Sequence, residues 1–202
     1  FSASALWSYA TRPRWTLDYL LREQFRLPNL DTHVREGSGK AVSIAEYFNT
    51  MLDTSMDWDT AARIRQDWGG TFCLKGVMSA ADARRAVEIG ADAIMISNHG
   101  GRQLDGSRAP FDQLREIVDT VGGEIEIICD GGVRRGTHVL KSLCAGATAA
   151  SGGRLYLYAL AAAGQPGVER AIGILKDEIE RGMRLMGVTS VDQLVPGRLR
   201  WR

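Results

Sequence analysis

His99 and Arg102 stand three residues apart in the stretch Ser97-Asn98-His99-Gly100-Gly101-Arg102-Gln103-Leu104-Asp105-Gly106. The imidazole offers a titratable base, and the guanidinium a fixed cation whose planar fork matches a carboxylate. Flanking glycines let a backbone or a ligand come close. Three further polar groups share this character: Lys75-Gly76, Asp130-Gly131-Gly132-Val133-Arg134, and Gly153-Arg154. Bare N–H groups at Gly131, Gly132 and Gly153, joined by the guanidiniums of Arg134 and Arg154, make a donor set suited to a phosphate. Singly, each group also has a plain reading, in which glycine pairs close turns, Arg102 is solvated, His99 satisfies a loop and Lys75 sits in an internal ion pair.

What must position these residues is a regular series of short strands and helices. Helical spacing covers residues 57–68 and stops at Gly69-Gly70, and residues 71–75 then read as a strand ending in Lys75. Ser79-Ala80-Ala81-Asp82 is a capping-box variant that opens a helix with Ala83, Ala86 and Val87 inward, closed by Gly90. The apolar run 93–96 delivers the His99 stretch. A helix over 111–121, a strand over 124–129 delivering Asp130, a helix over 136–145 and a weaker strand over 147–151 follow. Val168, Ala171, Ile172, Leu175, Ile179, Met183 and Met186 then trace one stripe of a long helix entered through Pro166 and closed by Gly187. Strands alternating with helices at this spacing are parallel βα units. The expected fold class is α/β, and in a βα barrel such as the TIM (β/α)8 fold the carboxyl ends of these strands share one rim.

No G-x-G-x-x-G follows any strand, which argues against a dinucleotide bound in the Rossmann manner. An alternative phosphate-bearing redox cofactor is a mononucleotide flavin. A lysine at the position of Lys75 would stabilise the negative charge that gathers at N1 and the C2 carbonyl on reduction.

Composition narrows the classes further. The 202 residues are 45% hydrophobic and 24% charged with net charge +1, which fits a globular chain and argues against nucleic acid as the main partner. Cys73, Cys129 and Cys144 have neither disulfide nor metal spacing and read as buried thiols of a reducing compartment, so no metal site is expected. No apolar run is long enough for a spanning helix, and the opening Phe1-Ser2-Ala3-Ser4 reads as the start of a fragment or processed chain. Residues 1–57 lack the regular rhythm, apart from an amphipathic helix over 14–26 with Leu17, Leu20, Leu21 and Phe25 on one side, ended by Leu27-Pro28-Asn29. Trp7, Trp15 and nearby arginines allow that helix either a membrane surface or a packing partner, and packing is the reading preferred. Gly37-Ser38-Gly39-Lys40 mimics a phosphate loop but has Val34 in place of the first glycine and Ala41 after the lysine, so it is assigned to a flexible loop.

Lys75-Gly76, the Ser97-to-Gln103 segment, Asp130-Gly131-Gly132-Val133-Arg134-Arg135-Gly136 and Gly153-Arg154 together resemble the FMN-dependent α-hydroxy acid dehydrogenases and oxidases: glycolate oxidase, mandelate dehydrogenase and L-lactate dehydrogenase. His-Gly-Gly-Arg-Gln is highly specific to that group, and residues 153 onward look most like the bacterial L-lactate branch. The resemblance runs from about Trp58 to Gln193. It implies His99 as the base acting on an L-2-hydroxy acid and Arg102 as the clamp on its carboxylate. Further implied are Lys75 and Ser97 at the flavin ring, Asp130 at the ribityl hydroxyls, and Gly131, Gly132, Arg134, Gly153 and Arg154 around the phosphate.

The resemblance also sets expectations for the whole protein. Its reaction would be oxidation of the hydroxy acid, L-lactate above all, to the 2-oxo acid, with oxygen, a cytochrome or a quinone as electron acceptor. It would form homo-oligomers in the cytoplasm, in contact with the inner membrane at most peripherally. Residues 1–57 would be the loop and helix before the fifth barrel strand, 58–187 the second half of the barrel, and 188–202 a tail. Loops after the first four strands, with a substrate tyrosine and an aspartate partner for the base, would lie outside these residues. The fragment alone would then be inactive, and the alternative is a truncated half-barrel that completes a partner.

Overall fold

The computed structural model describes residues 2–23 and 53–201. Two units divide the chain, Phe1–Ser55 and Met56–Arg202. In the first, Ser2 caps helix α1 (Ala3–Ala10) by accepting the Ala5 N–H at 3.2 Å, and Pro13 opens α2 (Pro13–Leu21) at the position where its missing N–H costs nothing. Tyr9, Trp15 and Tyr19 stack in series at 6.1 and 5.2 Å, tying the two short helices together. Helix α1 had no counterpart in the sequence reading. The helix expected over 14–26 starts at Pro13 and ends at Leu21, with Leu17, Leu20 and Leu21 all exposed. Phe25, the Leu27-Pro28-Asn29 break and the Gly37–Lys40 loop lie outside the described residues.

The second unit runs α3 (Trp58–Trp68), β1 (Cys73–Lys75), α4 (Ala80–Glu88), β2 (Ala93–Ile96), α5 (Pro110–Val121), β3 (Glu126–Asp130), α6 (Gly136–Cys144), β4 (Ala149–Ser151) and α7 (Gly153–Leu185). All three strand pairings are parallel in the order β1-β2-β3-β4, so each strand lies beside its sequence neighbour, as successive units of a βα barrel do. Helix starts follow from capping chemistry. Asp57 accepts the Thr60 N–H at 2.8 Å to begin α3, and Ser79 accepts the Asp82 N–H while donating to its carboxylate at 2.8 Å to begin α4.

Ile94, Ile96, Ile127, Leu114, Ile117 and Val121 are sealed between the sheet and its helices, with Ala83 and Ala86 letting α4 sit close. Each fully buried Ile or Leu there contributes about 1.5–3 kcal/mol. A second cluster, around Leu140, Cys144, Val188 and Leu194, fastens residues 188–202, and Leu199 touches both clusters. Trp201 stacks on Phe111 of α5 at 5.6 Å.

Two expectations fail here. Cys73 is exposed, because it opens a three-residue edge strand whose alternation turns Cys73 and Lys75 away from half-buried Leu74; Cys129 and Cys144 are buried as expected. The helix expected from Pro166 follows a break in α7 at Ala163 (φ −149) and Gly164 (φ 62, ψ −146), and the helical stretch before the break, from Gly153, is one the sequence does not announce; the inward stripe fails at Ile172, which is 56% exposed. The run Leu155 to Ala163 lacks a polar face, so periodicity alone hides it.

Candidate active site

Parallel register fixes what the strand ends bring together. Ile96 lies opposite Cys129, so Ser97 and Asp130 come level at the carboxyl ends of β2 and β3, and Ser97 Oγ donates to Asp130 Oδ2 at 2.6 Å. Ser97 is 2% exposed and its oxygen also accepts the His99 N–H at 3.2 Å. A buried hydroxyl with both lone pair and proton engaged is held in one orientation.

His99 is the one non-glycine residue with a left-handed backbone among the described residues, at φ 54. Gly100 follows at φ 71, and the Gly101 N–H closes the turn onto the Asn98 carbonyl at 3.0 Å, the geometry of a type I′ turn. A β-carbon makes such a backbone unfavourable for His99, which gives a strained side chain at the end of a barrel strand functional weight. Asn98 braces the turn from both sides: Oδ1 accepts the Gly100 N–H at 3.0 Å, and Nδ2 donates to the Arg108 carbonyl at 3.3 Å. The sequence reading gave Asn98 no role; an Asx residue directly before a His-Gly pair was the available signal.

The other predicted residues are placed as follows. The imidazole reaches toward the end of β1, where a β-carbon built on Gly76 would lie 4.0 Å from His99 Nε2. Gly76 in turn donates to the Met95 carbonyl at 3.0 Å, continuing the sheet one residue past Lys75. The side chains of Lys75 and Arg102 are exposed. Arg154, grouped with the phosphate donors on sequence, donates through Nη2 to the Gly100 carbonyl at 3.0 Å, clamping the His99 turn from the start of α7. That contact brings the fourth strand's loop to the second's, and the Gly131 N–H donates to Ser151 O at 3.4 Å to join the third and fourth.

Gly131 (φ 120) and Gly132 (φ 73) turn the chain after β3, and Gly132 and Gly153 have open space where a side chain would be. The first turn of α7 has no side-chain cap at Gly152, so its leading N–H groups are free for an anion. With exposed Arg134 beside this turn, the donor chemistry fits a phosphate, and the glycines leave room for it. Among the described residues no cluster fit for a metal occurs.

Two residues that sequence reasoning missed support this loop. His138 Nδ1 lies 3.2 Å from the Arg134 N–H donor and 3.0 Å from the Gly132 carbonyl. Glu178, from the second half of α7, accepts from the Gly136 N–H and from Arg135 Nε, each at 2.7 Å, and so caps α6 across the tertiary structure. The Arg135 bond, then the Gly136 bond, holds its carboxyl below the usual carboxylate range. Gly136 is required at this contact, because a β-carbon would fall 2.6 Å from the Ile179 nitrogen.

Parallel βα units whose strand ends bring together a histidine of left-handed backbone, a Ser–Asp pair and a glycine-rich turn fit the βα-barrel class of enzyme. A family model described as FMN-dependent dehydrogenase matches residues 1–201, and the chain belongs to that family, whose cofactor is FMN. An L-lactate dehydrogenase of Alcaligenes faecalis is 41% identical over 186 residues, covering 90% of this chain and 48% of that protein. The pre-mycofactocin synthase of Mycolicibacterium smegmatis is 39% identical over 189 residues, covering 92% and 47%. A solved structure of the monotopic membrane protein (S)-mandelate dehydrogenase superposes with a TM-score of 0.86 at 34% identity, covering 99% of this chain and 52% of the other. The chain thus spans about half the length of the curated relatives it matches.

Proposed function

We propose that the protein to which this chain belongs oxidises an L-2-hydroxy acid, L-lactate foremost, to the 2-oxo acid. The observation that carries this reading is the His99 turn. The left-handed backbone of His99 sits in a turn braced by Ser97, Asn98 and Arg154, the imidazole faces the end of β1, and Arg102 follows three residues on. FMN, when bound, supplies the two-electron acceptor. His99 Nε2 takes a proton from the substrate as its carbinol becomes a carbonyl, and the Arg102 fork holds the carboxylate so that the carbinol meets the imidazole. Lys75 is assigned to the flavin ring, Ser97 and Asp130 to the ring edge and ribityl hydroxyls, and Gly131, Gly132, Arg134 and Gly153 to the phosphate. Arg154 steadies the His99 turn while lying beside the phosphate donors.

The test is an absorbance spectrum of the complete protein before and after anaerobic L-lactate. Bleaching of the flavin band is expected. A flavin that stays oxidised with L-lactate, L-mandelate and glycolate overturns the assignment.

A membrane surface is the second site of action proposed. No helix of the described residues is long and apolar enough to cross a bilayer, yet α1 and α2 expose Leu6, Trp7, Leu17, Tyr19, Leu20 and Leu21 beside Arg12, Arg14 and Arg22. Aromatic and leucine side chains with arginines on short helices suit the interfacial layer of an anionic bilayer. Co-sedimentation with phosphatidylglycerol vesicles, reduced in Trp7→Ser with Leu20→Ser, is the expected result; equal sedimentation of wild type and variant would remove these helices from the contact.

A further inference from the structure

His138 makes two demands with one nitrogen. When Nδ1 carries a hydrogen it donates to the Gly132 carbonyl 3.0 Å away; when bare it accepts the Arg134 N–H at 3.2 Å and then faces the Gly132 oxygen with no proton between them. Both contacts cannot be satisfied together. The two hydrogen-bonding states of this ring therefore correspond to two states of the turn, one with the Arg134 N–H occupied and one with it free.

An anion on the turn between β3 and α6 is offered the turn's backbone N–H groups, that of Arg134 among them. We propose that His138 is the positioning residue of the phosphate turn: phosphate takes over the Arg134 N–H, and the imidazole switches to donating through Nδ1 to the Gly132 carbonyl. This rests on the reading that the Gly131–Arg134 turn holds the cofactor phosphate. Linkage makes the effect reciprocal, since phosphate favours the Nδ1–H form and that form favours phosphate. The first turn of α6 is anchored independently by Glu178 on the Gly136 N–H and by Ser142 Oγ donating to the His138 carbonyl at 3.0 Å, so the ring can change partners while its backbone stays in place.

FMN and riboflavin share the ring and the ribityl chain and differ in the phosphate, so their affinity ratio isolates this turn. In the complete apoprotein, His138→Ala is expected to weaken FMN about three- to tenfold and to leave riboflavin unchanged, because the bond to Gly132 made with phosphate bound is unopposed, whereas the bond accepted from Arg134 without phosphate is offset by the bare nitrogen facing the Gly132 oxygen. His138→Asn, whose amide can donate to Gly132, is expected to restore most of the loss. Nitrogen-15 spectra of histidine-labelled wild type are expected to show His138 Nδ1 protonated with FMN bound and bare with riboflavin bound, a readout that does not depend on any variant folding. Arg134→Gln is the control on the underlying reading. If it leaves the FMN-to-riboflavin ratio unmoved, the phosphate assignment falls. If it moves the ratio while His138→Ala does not, or if Nδ1 stays bare with FMN, the role of His138 alone is overturned.

Discussion

Ser97 Oγ and Asp130 Oδ2 meet at 2.6 Å across the ends of β2 and β3, and the same oxygen receives the His99 N–H at 3.2 Å. The third strand thereby reaches the His99 turn on the second through one buried hydroxyl. Ser97→Ala removes both bonds. A loss of about 1–3 kcal/mol in urea unfolding is expected, together with weaker flavin retention on gel filtration.

His99→Gln should keep flavin bound and lower the rate of its reduction by the hydroxy acid on the order of a hundredfold or more, read by stopped-flow absorbance. His99→Gly separates chemistry from strain. It abolishes reduction, yet by relieving the left-handed φ of 54 it is expected to raise stability by up to about 1 kcal/mol. A thermal midpoint below wild type would show that the turn carries no strain to relieve.

Arg102 is exposed, and its planar fork is the feature assigned to the carboxylate. For Arg102→Lys the expected change is a KM on the order of tenfold higher, with an unaltered unfolding midpoint. An unchanged KM would remove Arg102 from substrate binding.

The cap supplied by Glu178 makes stability depend on pH in a definite direction. Its folded carboxyl is depressed by Arg135 and by the Gly136 N–H, so its contribution is complete above the ordinary carboxylate value and fades as pH falls through the lower folded one. Urea midpoints of wild type and Glu178→Gln should differ at pH 7 and converge as the pH is taken down below the ordinary carboxylate range. A gap that stays constant with pH would mean the residue acts by packing alone.

Much of this was legible in the sequence because the signals were local. Ser79 at the start of α4, the glycines closing helices, and the apolar runs of β2 and β3 each follow from the few residues around them. The placement of polar residues and glycines at the strand ends was equally visible, since Lys75, His99, Asp130 and Gly153 each follow or end a short apolar run. What stayed hidden depends on contacts distant in sequence. Arg154 meets Gly100 54 positions away, and Glu178 caps Gly136 42 positions away. Neither pairing leaves a periodic trace. Cys73 was misread because a three-residue edge strand buries too little to follow the pattern of the central strands.

The break in α7 at Ala163 and Gly164 divides the labour of that helix. Its first residues hold the His99 turn through Arg154, and its far half holds α6 through Glu178, while Gly164 adopts a backbone open only to glycine (φ 62, ψ −146) and no continuous helix spans the two. Substitutions in α7 beyond residue 164 are therefore expected to act first on the start of α6, and those before it on the His99 turn, because neither of those two contacts crosses the break.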